Sequence, residues 1–343
     1  MDKIRVIGGS RLKGEIPISG AKNAALKLMA ATLLTDQPMT LTNMPNLADV
    51  AFMADLLRGL GVSVRSEGGN RLGEGARYRL HAGTAVHTTA EYDVVRKMRA
   101  SFQVLGPLLA RHGKAKISLP GGCAIGARPV DFHIKGFEAM GARIDLADGY
   151  VIASAPAGLK GTTFEFPFAS VGATENLMTG AVLAKGRTVL KNAAREPETQ
   201  DLGHCLIEMG AKISGLGTSE IVIDGVEALN GVTYAVMPDR IEAGTYAIAT
   251  AIAGGEVELV GAQASAIGAL IALLRQAGTE VQETNRGLSV HRNGVCPTAV
   301  DVNTGVFPAF PTDLQAQFMA LMATADGTSH IRETVFENRF MPV

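Results

Sequence analysis

A chain of 343 residues that is 47% hydrophobic and 19% charged has enough apolar material for two cores and too much for a disordered polypeptide. Its 32 basic and 33 acidic residues nearly cancel, which argues against a nucleic-acid polyanion as partner, and no apolar run reaches the roughly 18 residues of a membrane span. Cys123, Cys205 and Cys296 are far apart and odd in number, and the first residues lack a signal-peptide stretch, so the chain reads as a cytoplasmic protein without a disulfide framework.

In chain order the pattern opens with an extended segment, Glu15-Ile16-Pro17-Ile18, followed by an Ala-rich helix over 22–34, a strand over 39–43 and an amphipathic helix over 48–60. That second helix ends at Leu60-Gly61-Val62, where a glycine suits the left-handed position after the last turn. The same ending recurs at Met140-Gly141-Ala142, Met209-Gly210-Ala211 and, more loosely, Ala277-Gly278-Thr279. Upstream of each ending lies another mostly apolar helix, over 94–111, 172–184 and 241–253, and a fifth covers 313–325. Strands follow them over 115–119, 188–192, 256–260 and 329–334. A helix apolar on nearly every side is buried on every side, whereas the second helices, such as 197–209, should lie nearer solvent. The unit is thus a repeat of roughly 70 residues, strand, helix, strand, helix, strand, strand. The segments 15–18 and 163–166 are read as the leading strands of the first and third copies. With no Trp and few aromatics, the cores must rest on Ala, Leu, Ile, Val and Met and on close helix packing. The fifth copy stops at Val343 after one strand, so the second domain is expected to be incomplete and the chain poorly active.

Chemistry concentrates where strands enter the apolar helices. Ser19-Gly20-Ala21-Lys22-Asn23-Ala24 offers helix N–H groups, a cation and an amide, a pattern suited to an anion; the alternative is a solvated first-turn lysine. Ser170-Val171-Gly172-Ala173-Thr174 marks the same joint in copy three and suits either phosphate or a plain helix cap. Copy two alone carries a glycine-rich loop with a thiol, Leu119-Pro120-Gly121-Gly122-Cys123 running on to Gly126-Ala127-Arg128-Pro129. Its thiolate, five residues before Arg128, reads either as acid or nucleophile or as a neutral Cys in a turn, and no Lys-Ser/Thr follows to make a nucleoside-triphosphate loop. Arg99 places a cation in an apolar helix, where pairing with an anion is the commoner solution. Asp313, at the start of the fifth helix, reads first as an N-terminal acid and second as a general base for a hydroxyl, and Arg339 as an anion ligand or an exposed cation. Cys205 falls on the apolar face of a helix, Cys296 in a turn, and the seven histidines show no metal spacing, so no metal is expected.

These joints, with Asn192-Ala193-Ala194-Arg195-Glu196-Pro197-Glu198, Phe310-Pro311-Thr312-Asp313 and Phe336-Glu337-Asn338-Arg339-Phe340, resemble the enolpyruvyl transferases over essentially the whole chain, on the branch whose acceptor is UDP-N-acetylglucosamine. The resemblance implies an α/β fold, a two-domain inside-out barrel of repeated βαβαββ units around buried parallel helices. It implies two chain crossings, with 21–229 as one domain and 1–20 plus 230–343 as the other, and helix N-termini facing a cleft between them. It implies phosphoenolpyruvate and UDP-N-acetylglucosamine as small-molecule substrates, no cofactor, and the first committed step of peptidoglycan synthesis. Cys123 matches a loop cysteine that supplies acid chemistry and is alkylated by fosfomycin. Lys22 and Arg128 match donor ligands, Arg99 a nearby cation, Asn23 an acceptor ligand and Asp313 the base at the 3′-hydroxyl. Arg128, Pro129, Val130, Asp131 and Phe132 with Ser170, Val171 and Gly172 match the uridine and diphosphate site, and Val335 a sugar contact. Phe168 stands where many members have a diphosphate-binding lysine. The sister enzyme, which uses shikimate 3-phosphate, is the nearest alternative; a nucleotide-sugar binder without catalysis is another.

Overall fold

A computed structural model describes residues 5–69, 75–84, 86–90, 99–119, 130–336 and 338–340, with the backbone alone at Arg99. The strands are β1 (Leu12–Pro17), β2 (Met39–Met44), β3 (Ser63–Glu67), β4 (Ala76–His81), β5 (Thr89–Ala90), β6 (Lys114–Ser118), β7 (Arg143–Ala147), β8 (Tyr150–Ser154), β9 (Thr163–Glu165), β10 (Arg187–Lys191), β11 (Lys212–Ser214), β12 (Glu220–Asp224), β13 (Thr233–Ala235), β14 (Gly255–Val260), β15 (Glu280–Glu283), β16 (Gly287–Arg292), β17 (Val302–Asn303) and β18 (Ile331–Arg332). The helices are α1 (Lys22–Ala31), α2 (Ala48–Gly59), α3 (Leu105–His112), α4 (Asp131–Ala139), α5 (Val171–Ala181), α6 (Pro197–Glu208), α7 (Arg240–Ala253), α8 (Gly268–Gln276) and α9 (Gln315–Met322).

Four sheets share one plan: β13-β2-β4-β3, β5-β6-β8-β7, β9-β10-β12-β11 and β1-β14-β16-β15. In each, the first strand runs parallel to the second, and the remaining pairs are antiparallel. A parallel pair needs a crossover, and α3 and α5 supply it in the second and third sheets. The α/β repeat expected from the sequence is therefore present. A fifth group, β17 parallel to β18, flanks α9. The glycines at the four helix endings have φ of 93° (Gly61), 89° (Gly141), 107° (Gly210) and 89° (Gly278), the left-handed backbone that their position requires.

One local reading is corrected. The segment before α1 does not lead the first sheet. β1 pairs with β14, from Leu12↔Gly255 to Pro17↔Val260, and the first sheet takes β13 instead, with Thr233↔Thr40 and Ala235↔Thr42. The repeat pattern is blind to this because it assigns each strand to its sequence neighbour, whereas edge pairing is decided over long range. Two asparagines mark the equivalence. Asn43 and Asn192 both have left-handed φ, 54° and 53°, and each donates its side-chain amide at 2.9 Å to the carbonyl just past the leading strand, at Val236 and Phe166.

The chain divides into two compact units, Ser19–Met237 and Met1–Ile18 with Pro238–Val343. The sequence reading set these crossings near 20 and 230; the later one falls beyond β13 because that strand belongs to the first sheet. Each unit has its own apolar core. In the larger, α1 is buried from Ala24 to Ala31 and α5 from Ala173 to Ala181, as their apolar sequences require. Each fully buried Leu or Met there contributes about 1.5–3 kcal/mol. Helices approach closely: a Cβ at Gly106 of α3 would lie 2.3 Å from the Asn176 carbonyl oxygen of α5. Among the described residues no helix is long and apolar enough to cross a membrane.

Candidate functional site

In the larger unit, the entry to α1 is built by close backbone contact. A Cβ at Gly20 would sit 1.8 Å from the Asn43 carbonyl oxygen, so no other residue fits this joint unmoved. The Ala21 amide donates to the Met237 carbonyl at 2.7 Å, and Ala21, at the N-cap, has no side chain able to cap the first turn. By contrast, Asp239 caps α7 through Oδ1, which accepts from Ile241 N at 2.8 Å and Glu242 N at 3.0 Å. Lys22 lies on this uncapped turn with its Nζ 3.3 Å from Asp49 Oδ2, in the first turn of α2. Both side chains are partly exposed, so the pair adds at most about 1 kcal/mol of stability. Its effect is orientation: Asp49 steers the ammonium. Asn23 follows, half-buried.

A second cluster gathers the starts of α4 and α5. Phe132 and Phe168 meet edge to face with ring centroids 4.8 Å apart, Phe132 buried and Phe168 63% exposed. Ser170 occupies the N-cap position of α5 but makes no side-chain cap bond, which removes the plain helix-cap reading. Gln103 Nε2 donates to the Gly172 carbonyl at 3.0 Å. Behind it, Asn176 is fully buried and satisfied: its Oδ1 accepts from Gly106 N at 2.7 Å, and its Nδ2 reaches Phe102 O at 3.1 Å and His133 Nδ1 at 2.9 Å. An amide donor on Nδ1 leaves the imidazole proton on Nε2. Asp131, one turn away, sits 3.8 Å from Lys135 Nζ through Oδ2, and its buried Oδ1 has no hydrogen-bond partner among the described residues. The structure thus sets the start of α4, which carries Val130, Asp131 and Phe132, against the start of α5, which carries Ser170, Val171 and Gly172, through Phe132 on Phe168 and His133 beside Gly172. It adds Gln103, His133 and Asn176, which the sequence reading missed; buried polar residues inside apolar helices were the available signal.

In the smaller unit, Asp313 sits in a 3₁₀ turn, Thr312–Leu314, and its Oδ1 is 2.7 Å from Arg339 Nη2. It is a first-turn acid, as read from sequence, but its carboxylate pairs with arginine and caps nothing. Arg339 also lies over the Phe336 ring, 5.8 Å from its centroid. Glu333, unremarked in the sequence, fixes this corner: Oε1 accepts from Val335 N at 2.7 Å and Phe336 N at 3.0 Å, and Oε2 from Thr312 Oγ1 at 2.9 Å. Glu333 thereby links Thr312, the residue before Asp313, to Val335.

Cys123, Arg128, Pro129 and the Arg99 side chain lie outside the described residues. Cys205 is buried, as expected, and burial pushes its thiol well up; Cys296 is exposed.

The sequence profile of EPSP synthase (3-phosphoshikimate 1-carboxyvinyltransferase) matches residues 6–343. The chain is 59% identical over 341 residues to a UDP-N-acetylglucosamine 1-carboxyvinyltransferase of Caulobacter vibrioides, covering 99% of this chain and 79% of that protein. It is 60% identical over 347 residues to the protein of the same name from Rhodospirillum centenum, covering 100% and 80%. Among solved structures, the enolpyruvyl transferase NikO from Streptomyces tendae superposes with a TM-score of 0.85 at 22% identity, over 97% of this chain and 78% of that one. EPSP synthase from Acinetobacter baumannii gives 0.70 at 19% identity, over 94% and 74%. The fold, the repeat and these matches over nearly the whole of this chain agree: the chain belongs to the EPSP synthase family and is a carboxyvinyl transferase.

Proposed function

We propose that the chain transfers the enolpyruvyl group of phosphoenolpyruvate to the 3′-hydroxyl of UDP-N-acetylglucosamine, releasing phosphate, in the first committed step of peptidoglycan synthesis. The observation that carries this reading is the identity of about 60%, over nearly the whole chain, with relatives named for that acceptor. The hydroxyl oxygen adds to C2 of the donor while a proton joins C3, giving a tetrahedral phospho-adduct. The adduct then loses phosphate from C2 and a proton from C3, restoring the vinyl group. Charge collects on the departing phosphate, so cations and uncapped helix N–H groups are the catalytic need. Lys22, steered by Asp49, meets it, with Arg128 and Arg99 as further donor ligands. Cys123 delivers the proton to C3. Asp313, oriented by Arg339, takes the hydroxyl proton. Asn23 and Val335 hold the sugar, and the paired starts of α4 and α5 hold uridine and diphosphate. The exposed ring of Phe168, set edge to face on buried Phe132, offers an apolar contact where a lysine would offer charge.

The test is phosphate release from phosphoenolpyruvate with UDP-N-acetylglucosamine or shikimate 3-phosphate as acceptor. Release with the former alone is expected. Release with shikimate 3-phosphate alone would overturn the acceptor assignment. Binding of UDP-N-acetylglucosamine without release would leave a binder and no transferase.

A further inference from the structure

Beneath the two helix starts of the larger unit lies a buried charged node that no step above uses. Lys27, on the second turn of α1, is 9% exposed, and Glu175, on the second turn of α5, is 0% exposed. Lys27 Nζ is 3.3 Å from Glu175 Oε2, and Thr199 Oγ1 of α6 donates to Glu175 Oε1 at 3.3 Å. The node therefore ties α1, α5 and α6 together. Lys27 is five residues beyond Lys22, and Glu175 three beyond Gly172. A buried ion pair is a poor source of stability, since desolvation offsets its attraction, but it fixes geometry when both partners remain.

We propose that Lys27 and Glu175 are positioning residues that hold the starts of α1 and α5 in register for the nucleotide sugar, and that protonation of Glu175 releases this strut. The inference rests on the acceptor assigned above. The charged groups acting on Glu175 among the described residues are Lys27 from α1 and Glu198 and Glu196 from the start of α6. Burial is the largest influence and pushes Glu175 up from 4.5 to about 7; Lys27 opposes it, and Glu198 and Glu196 add to it. The ion pair thus exists above neutrality and gives way to a neutral acid below it.

The experiment measures the dissociation constant of UDP-N-acetylglucosamine by calorimetry for the wild type, Glu175→Gln and the double variant Lys27→Met with Glu175→Leu, from about pH 6 to about pH 8. Wild-type affinity should fall toward acid pH by about fivefold or more, the low end of site-to-site couplings. Glu175→Gln should bind weakly with a flatter profile. The double variant should melt as high as the wild type, since apolar side chains of similar volume replace the pair, yet bind weakly and without the pH step. Parallel profiles for wild type and Glu175→Gln, or wild-type affinity in the double variant, would overturn the inference alone. No binding by the wild type would sink the acceptor assignment and this inference with it.

Discussion

Tyr234→Phe removes one hydroxyl from the place where the chain leaves the larger unit. Tyr234 stands on β13, and its hydroxyl lies 2.8 Å from Asp201 Oδ1 and 3.1 Å from the Asp201 carbonyl oxygen, on α6. Asp201 Oδ2 accepts from Met237 N at 3.4 Å. The carboxyl is buried, and burial pushes it up from 3.8 to about 6; the phenol, the Met237 amide and His204 pull it down, while Glu198 pushes it up. A folded-state value above the ordinary one means that the native protein holds the proton more tightly. Asp201's contribution to stability is therefore fully present below about 3.8 and is lost as pH rises through about 6. In the folded protein the phenol donates to a neutral acid below about 6 and to a carboxylate above it. Hydrogen bonds to charged groups are worth about 1.5–3 kcal/mol and neutral ones about 1 kcal/mol. Tyr234→Phe should thus cost about 1 kcal/mol near pH 5 and about 2–3 kcal/mol near pH 8, read by urea unfolding at both. Because wild type and variant are compared at each pH, other titrating groups largely cancel. An equal cost at both, or a larger one in acid, would refute the reasoning.

Gly20→Ala drives a methyl into the Asn43 carbonyl and should destabilise by about 1–3 kcal/mol, whereas Gly268→Ala, with nothing within 4 Å of the new carbon, should leave the melting temperature nearly unchanged. A disulfide reagent should label Cys296 in the native protein and reach Cys205 only on unfolding; fast native labelling of Cys205, followed by peptide mass, would contradict its burial. Asp313→Asn should lower kcat by about 10²-fold or more, the usual worth of a general base. Arg339→Ala, which leaves the carboxylate unsteered, should lower kcat less, with the melting temperature of both variants near that of the wild type.

What was legible in the sequence was what local periodicity encodes. The apolar runs of α1 and α5 announced burial, and Gly61, Gly141, Gly210 and Gly278 announced helix ends, because each signal needs only a few neighbouring residues. The partner of β1 was not legible from the repeat, since nothing in residues 12–17 encodes a strand at 255–260. In the candidate site, cations and acids at helix starts stood out by type, but their companions did not. Asp49 became visible only through the 3.3 Å contact it makes with Lys22, and Arg339, read as an anion ligand or an exposed cation, was not matched to Asp313 until the 2.7 Å contact joined them. Lys27 and Glu175 each look like a misplaced charge in an apolar helix until the fold sets them side by side.

The exchange of β1 and β13 has a cost during synthesis. When β1 emerges from the ribosome, its partner strand is still more than two hundred residues from being translated. The first sheet likewise waits for β13 before its open edge is covered. Such late, distant pairings make the two edge strands slow steps of assembly and expose them to mispairing meanwhile. The larger unit is one continuous stretch, Ser19–Met237, but the smaller is not, so a single cut after Met237 would carry β1 away from the unit to which it belongs.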